Sequence, residues 1–143
     1  MKILVDADAC PVKEIIIQVA KEYNIHVMMY VDVCHVINDG YSEVVTVDKS
    51  KDSVDIALAN NVSYGDIVIT QDYGVAAMVL AKGAKAMNQY GLVYTDGNID
   101  KLLFERHISQ KVRRSGGKTT GPRKWTKVNS VTFENQFREL VKV

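Results

Sequence analysis

Aspartates recur in this chain at places where they could act together. The stretch LVDADACP, residues 4–11, is an apolar run that ends in Asp6 and Asp8, one residue apart. Side chains alternate faces in an extended strand, so both carboxylates point the same way if that geometry persists through Ala7. Asp55 follows in DSVDIALAN and Asp72 in DIVITQDYG. Taken singly, each has an ordinary use: Asp8 as a helix cap, Asp52 or Asp55 in the favourable first turn of a helix, Asp72 as the start of a turn before Gly74. Brought together, they would repel by about 4 kcal/mol per close pair at an effective dielectric of roughly 20. A divalent cation removes that repulsion, and hard carboxylate oxygens suit magnesium or manganese.

Whether the four meet depends on the elements that carry them. Apolar patterning marks strands at KILV, IHVMMYV, EVVTV and DIVIT, with a fifth at LVYT. Helical patterns fall between them: PVKEIIIQVAKEY, with Pro11 suited to a first turn, DSVDIALANN, and YGVAAMVLAKG, which Gly83 would stop. NIDKLLFERHISQKV and FENQFRELV read as two further helices, separated by the Gly/Thr/Pro-rich loop RRSGGKTTGPRKW. Strands alternating with helices pair in parallel through right-handed crossovers, which predicts an α/β three-layer sandwich with a mostly parallel central sheet. Residues 1–143 show no internal repeat and no linker, so a single domain is expected. Ligands of such sheets bind beyond the carboxyl ends of the strands. Asp6, Asp8 and Asp72 lie at such ends and Asp55 on the helix before DIVIT, so the four converge if the first and fourth strands are neighbours.

A strand followed by Asp-x-Asp also opens phosphatases of the haloacid-dehalogenase type, in which the first aspartate is a nucleophile and the second a general acid/base. GDIVITQD imitates their later acidic motif. Asp66 and Asp72 flank a strand, however, and six residues at about 3.3 Å each put them roughly 20 Å apart. They cannot share one metal, and Asp66 reads as a turn residue at the opposite end of the sheet. Those enzymes also need a lysine after a later helix, for which there is no clear candidate. Cys34 and His35 lack partners at zinc-ligand spacing, and no phosphate-binding loop signature is present.

A chain of 143 residues, 47% apolar, can form one core without disulfides or a structural metal. Its two cysteines, Cys10 and Cys34, form no CxxC pair, and its start lacks the features of a signal peptide, so a cytoplasmic protein with reduced thiols is expected. Its apolar runs fall well short of the roughly 20 residues of a membrane span, so no membrane partner is expected. The net charge of +1 conceals a division: residues 1–100 hold 7 Lys/Arg against 14 Asp/Glu, and residues 101–143 hold 11 against 3. An acidic centre beside a surface for a polyanion would show this asymmetry, as would a merely solvated basic tail. In the loop, Gly116, Gly117 and Gly121 would let backbone amides approach phosphate, with charge from Arg113, Arg114, Lys118, Arg123 and Lys124. Trp125 would stack on a base or pack its own loop.

LVDADACPVK, DSVDIALAN, GDIVITQDYGVAAMVLAKGA and GGKTTGP together resemble, in order and over nearly the whole chain, the YaiI/YqxD family of uncharacterised bacterial proteins. That family looks like a branch of the PIN-like nuclease superfamily. The resemblance implies a PIN-like fold with acids after the first strand, on a central helix and after the fourth strand. Asp6, Asp55 and Asp72 match those three places, and Asp8 and Asp52 are extra acids of the YaiI/YqxD pattern. Asn129, in WTKVNSVTF, stands where the family is expected to carry an acid. The expectation is a nuclease dependent on magnesium or manganese and acting on nucleic acid, with RNA favoured over DNA by what the resemblance implies. Asp6, Asp55 and Asp72, with Asp8, would hold one or two ions that activate a water and stabilise the leaving oxygen. The basic loop would hold the backbone. A non-catalytic nucleic-acid-binding regulator and a small-molecule phosphatase are the alternatives.

Overall fold

The computed structural model describes residues 1–8, 10–32, 37–47, 54–116 and 124–142. Six strands form one sheet: β1 (Lys2–Asp6), β2 (His26–Asp32), β3 (Glu43–Val47), β4 (Ile67–Ile69), β5 (Lys85–Met87) and β6 (Val93–Tyr94). Their order is β3-β2-β1-β4-β5-β6, parallel throughout except for the antiparallel β5–β6 pair. β1 therefore lies between β2 and β4, with Asp6 opposite Tyr30 and Val5 opposite Ile69. The first and fourth strands are neighbours, which is the condition for the acids to converge.

Both faces of the sheet are covered, as a mostly parallel sheet requires. Ile3 and Val5 pack with Ile16 and Val19 of helix α1 (Lys13–Tyr23) and with Phe133 and Phe137 of helix α5 (Lys127–Lys142). Leu4, on the opposite face, packs with Leu58 of α2 (Val54–Asn61), Val75 and Val79 of α3 (Tyr73–Ala81) and Ile99 of α4 (Asp96–Arg114). The result is the expected three-layer α/β sandwich. Strand alternation now assigns the site a side. Asp6 shares the parity of Leu4, and Thr70 that of Val68, so both belong to the α2–α3–α4 face.

Several local expectations shift. Pro11 precedes the first helix instead of opening it: α1 begins at Lys13, with Val12 at its N-cap and no side-chain cap. LVYT contributes only Val93–Tyr94, and as the antiparallel sixth strand. The fifth strand is Lys85–Met87, whose Lys-Ala-Met sequence carries little strand propensity and is extended because β4 pairs with it. α5 begins at Lys127 rather than at Phe133, because its buried positions Phe133, Phe137 and Val141 start only in the second turn, after exposed Val128 and Val131. Gly83 does end α3: its φ is +81°, and a Cβ there would run into the Tyr64 ring. Asp52, the expected start of α2, lies outside the described residues.

Candidate active site

Thr70, 0% exposed, fixes the geometry where β1 and β4 end. Its backbone N–H donates to Met87 O at 3.1 Å, and its carbonyl accepts from Tyr94 OH at 3.2 Å. Its hydroxyl donates to Asp6 Oδ2 at 3.3 Å and accepts from the Asp72 N–H at 3.0 Å. One buried side chain thus ties the acid after β1 to the acid after β4. Asp72 is extended and caps α3, its Oδ1 accepting from Gly74 N at 2.8 Å and Val75 N at 3.2 Å. Arg106 Nη1 stands 3.9 Å from the same oxygen. Oδ2 takes part in none of these contacts, so the cap leaves Asp72 an oxygen for another ligand.

Burial above all, opposed by the Thr70 hydrogen bond and reinforced by the negative charges of Asp8, Asp72 and Asp55, pushes the Asp6 carboxyl up to about 6. All four predicted acids therefore act within one electrostatic field. Asp8 is half-buried, with Oδ1 shielded from solvent, and is not the α1 cap. Asp55 lies in the first turn of α2, where its Oδ1 accepts from Ile56 N at 3.0 Å. Among the described residues no three His, Cys, Asp or Glu side chains come together closely enough to hold an ion. The donor set thus differs from a cage made wholly of protein. Magnesium keeps several waters and binds through one or two carboxylates plus substrate phosphates. Asp6 and Asp72, which line one cleft, fit that mode.

The cleft has a volume of about 650 Å³. Asp6, Gln71, Asp72 and Tyr73 form one wall, and Glu105, Arg106, Ser109, Gln110 and Arg113 of α4 form the other. Arg106, Ser109, Gln110 and Arg113 recur at i, i+3, i+4 and i+7, one face of a helix. Packing sets that face. Ile99 is buried, and Leu102 and Leu103 pack against the cluster that holds α3. Thr95 and Asn98 form a capping box that fixes where α4 starts. Of the cleft residues on α4, only Arg113 was singled out from the sequence. The missed signal is the four-residue polar periodicity, which gains meaning once the buried side of α4 is known.

The other predicted binding residues fall elsewhere. Arg114 and Lys124 are exposed and do not line the cleft. Lys118 and Arg123 lie outside the described residues, as do Gly117, Gly121, Cys34 and His35. Trp125 packs against the α1–α5 cluster, its indole N–H donating to Ser130 Oγ at 2.9 Å and its ring 5.2 Å from that of Tyr90. It adjoins the face of the sheet opposite the one that carries Asp6. Asn129 accepts from Thr126 N at 3.0 Å and from Thr126 Oγ1 at 2.9 Å, at the start of α5. Thr126 Oγ1 in turn accepts from Asn129 N at 3.3 Å, so Asn129 completes a capping box, a place that needs an oxygen and no charge. Asp66 is buried at the far end of the sheet, as its spacing predicted, held by Lys2. Asp32, buried at the end of β2, is a further acid at the carboxyl end that the apolar run around it concealed.

No helix among the described residues is long and apolar enough to cross a membrane. Residues 4–143 match the family described as "Uncharacterized BCR, YaiI/YqxD family". A UPF0178 protein of Ruminiclostridium cellulolyticum is 61% identical over 142 residues, covering 99% of this chain and 93% of that relative. One from Alkaliphilus oremlandii is 55% identical over 134 residues, covering 94% and 86%. Among solved structures, Rae1 (YacP) from Bacillus subtilis aligns over 99% of both chains at 20% identity, with a TM-score of 0.44. The chain belongs to the YaiI/YqxD family.

Proposed function

We propose that this YaiI/YqxD-family chain is a PIN-like, metal-dependent nuclease of the cytoplasm that hydrolyses phosphodiester bonds in RNA or DNA, with RNA favoured. The observation that supports this best is the two-walled cleft, in which Asp6 and Asp72 face Arg106 and Arg113. One wall suits a hard cation and the other the phosphate that a cation would share. Asp6 and Asp72 would hold magnesium or manganese, with Asp8 and Asp55 adding to the negative field. When bound, the ion supplies charge neutralisation at the phosphate and a water acidified enough to attack near neutral pH.

The chain's own residues do the positioning. Thr70 Oγ1 steadies Asp6 Oδ2. The α3 cap holds Asp72 through one oxygen and leaves the other available. Arg106 stands close enough to Asp72 to exchange that contact for a phosphate oxygen, and Ser109 and Gln110 offer neutral donors beside it.

Incubation with a single-stranded RNA or DNA oligonucleotide and millimolar manganese or magnesium tests the proposal. Cleavage should occur, stop on adding chelator, and be lost in Asp6→Asn and Asp72→Asn. Turnover of a phosphate monoester with neither polymer cut would contradict it. A second reading, a non-catalytic nucleic-acid binder, draws on the lack of three converging metal-ligating side chains among the described residues. Oligonucleotide binding without cleavage under either metal would favour that reading.

A further inference from the structure

We infer that the inner face of α4 is a two-position phosphate rail, on which Arg106 serves the phosphate beside Asp6 and Asp72 and Arg113 serves a second phosphate of the same strand. The site would then select a polynucleotide over a lone phosphate ester. This rests on the nuclease reading of the cleft and adds the position, at Arg113, that would hold a second phosphate of the strand.

α4 runs unbroken from Asp96 to Arg114, so the spacing along its cleft face is fixed. Arg106 and Arg113 are seven residues apart, about 10.5 Å along the axis, and nearly superimposed in angle. Arg106 is drawn to the acid end, 3.9 Å from Asp72 Oδ1. Arg113 lies two turns further along the same cleft, and that axial spacing sets the two guanidiniums to meet separate anions. Each presents a planar fork that matches phosphate oxygens. Ser109 and Gln110, uncharged, occupy the interval between them. Glu105 is the one acid that α4 contributes to this cleft, and Lys101 stands 3.9 Å from it, offsetting its charge. The rail therefore alternates cation, neutral donors and cation at a spacing suited to a chain of phosphates. A monoester could occupy only its first position.

The experiment compares wild type, Arg106→Gln and Arg113→Gln on a single-stranded RNA oligonucleotide and on bis(p-nitrophenyl) phosphate, which carries one phosphate, both with manganese. Both arginines are exposed, so the variants should keep the fold. Arg106→Gln should lower activity on both substrates alike. Arg113→Gln should cut the preference for the oligonucleotide about tenfold, the worth of one charge-assisted contact. A preference left intact in Arg113→Gln, or an equal loss on both substrates, would overturn the inference. If wild type cleaves neither substrate, the catalytic reading falls, and oligonucleotide binding still decides this one. Arg113→Gln should flatten the slope of log affinity against log salt by about 0.7, and Arg113→Lys should restore it. An unchanged slope would overturn the rail.

Discussion

Asp66 and Asp6 are two shielded carboxylates at opposite ends of neighbouring strands, and their surroundings are opposite in kind. Asp66 is 3% exposed and fully matched within the chain. Lys2 Nζ lies 2.7 Å and Ser63 N 2.8 Å from its Oδ2, and Lys2 N lies 3.1 Å from its Oδ1. Asp6 has a neutral hydroxyl at 3.3 Å and three acids around it; burial first, and then those like charges, hold its carboxyl up near 6 against the lowering effect of the hydroxyl. A buried charge sits comfortably in a fold only when partners satisfy it. At the amino end of the sheet the chain supplies the partner. At the carboxyl end it gathers like charges, which the proposed cation would match. The same two strands thus carry a carboxylate matched within the chain at one end and one crowded by like charges at the other.

The comparison breaks most readily at Asp66. Asp66→Ala should cost about 3 kcal/mol in urea unfolding, because it strands an ammonium and two backbone donors; a cost below about 1 kcal/mol would mean that the Lys2 end is no anchor. Asp6→Asn should act in the opposite direction. The folded-state carboxyl is raised from 3.8 to about 6. Below 3.8 it is protonated in both folded and unfolded chains and costs nothing. As pH rises through 6 the folded chain must bear its charge, and stability falls by up to about 3 kcal/mol, reduced toward 2 by the solvent it still meets. In chelator, Asp6→Asn should therefore be more stable than wild type by about 2 kcal/mol at neutral pH and about equal to it in strong acid. A gain independent of pH would sever it from the ionisation of Asp6. The smallest effect belongs to Thr70→Val, about 1 kcal/mol. Its sharper signature is an Asp6 titration midpoint above that of wild type, read by NMR, since the Thr70 hydroxyl is what lowers it. Thr70→Ser should restore the midpoint.

Asp6 and Asp72 were legible because strand ends in a parallel sheet are where sites form, and their flanking runs, LVDADACP and DIVITQDYG, announce themselves as strands. Asp66 was separable from Asp72 by spacing alone. β5 was not legible, since Lys85–Met87 owes its extended form to pairing with β4 and not to its residue types. The basic wall was only half legible. The charge of residues 106–127 was plain, but assigning it to a loop missed that Arg106, Ser109 and Gln110 share a helix face with Arg113. That phase is set by Ile99, Leu102 and Leu103, whose packing against α3 no local pattern specifies. Trp125 carries the same lesson in reverse: an aromatic in a basic loop is turned toward the α1–α5 core.

Manganese binding read by thermal unfolding most directly tests whether the acids at the carboxyl end form a cation site. Wild type should gain roughly 2.7 kcal/mol of stability once free metal stands a hundredfold above its dissociation constant. Asp66→Ala should gain as much, from its lower baseline. Asp6→Asn should gain distinctly less, so that its advantage in chelator shrinks or reverses in metal. Equal metal-induced shifts in wild type and Asp6→Asn would contradict the claim, because Asp6 would then hold no ion and its crowding by other acids would need another cause.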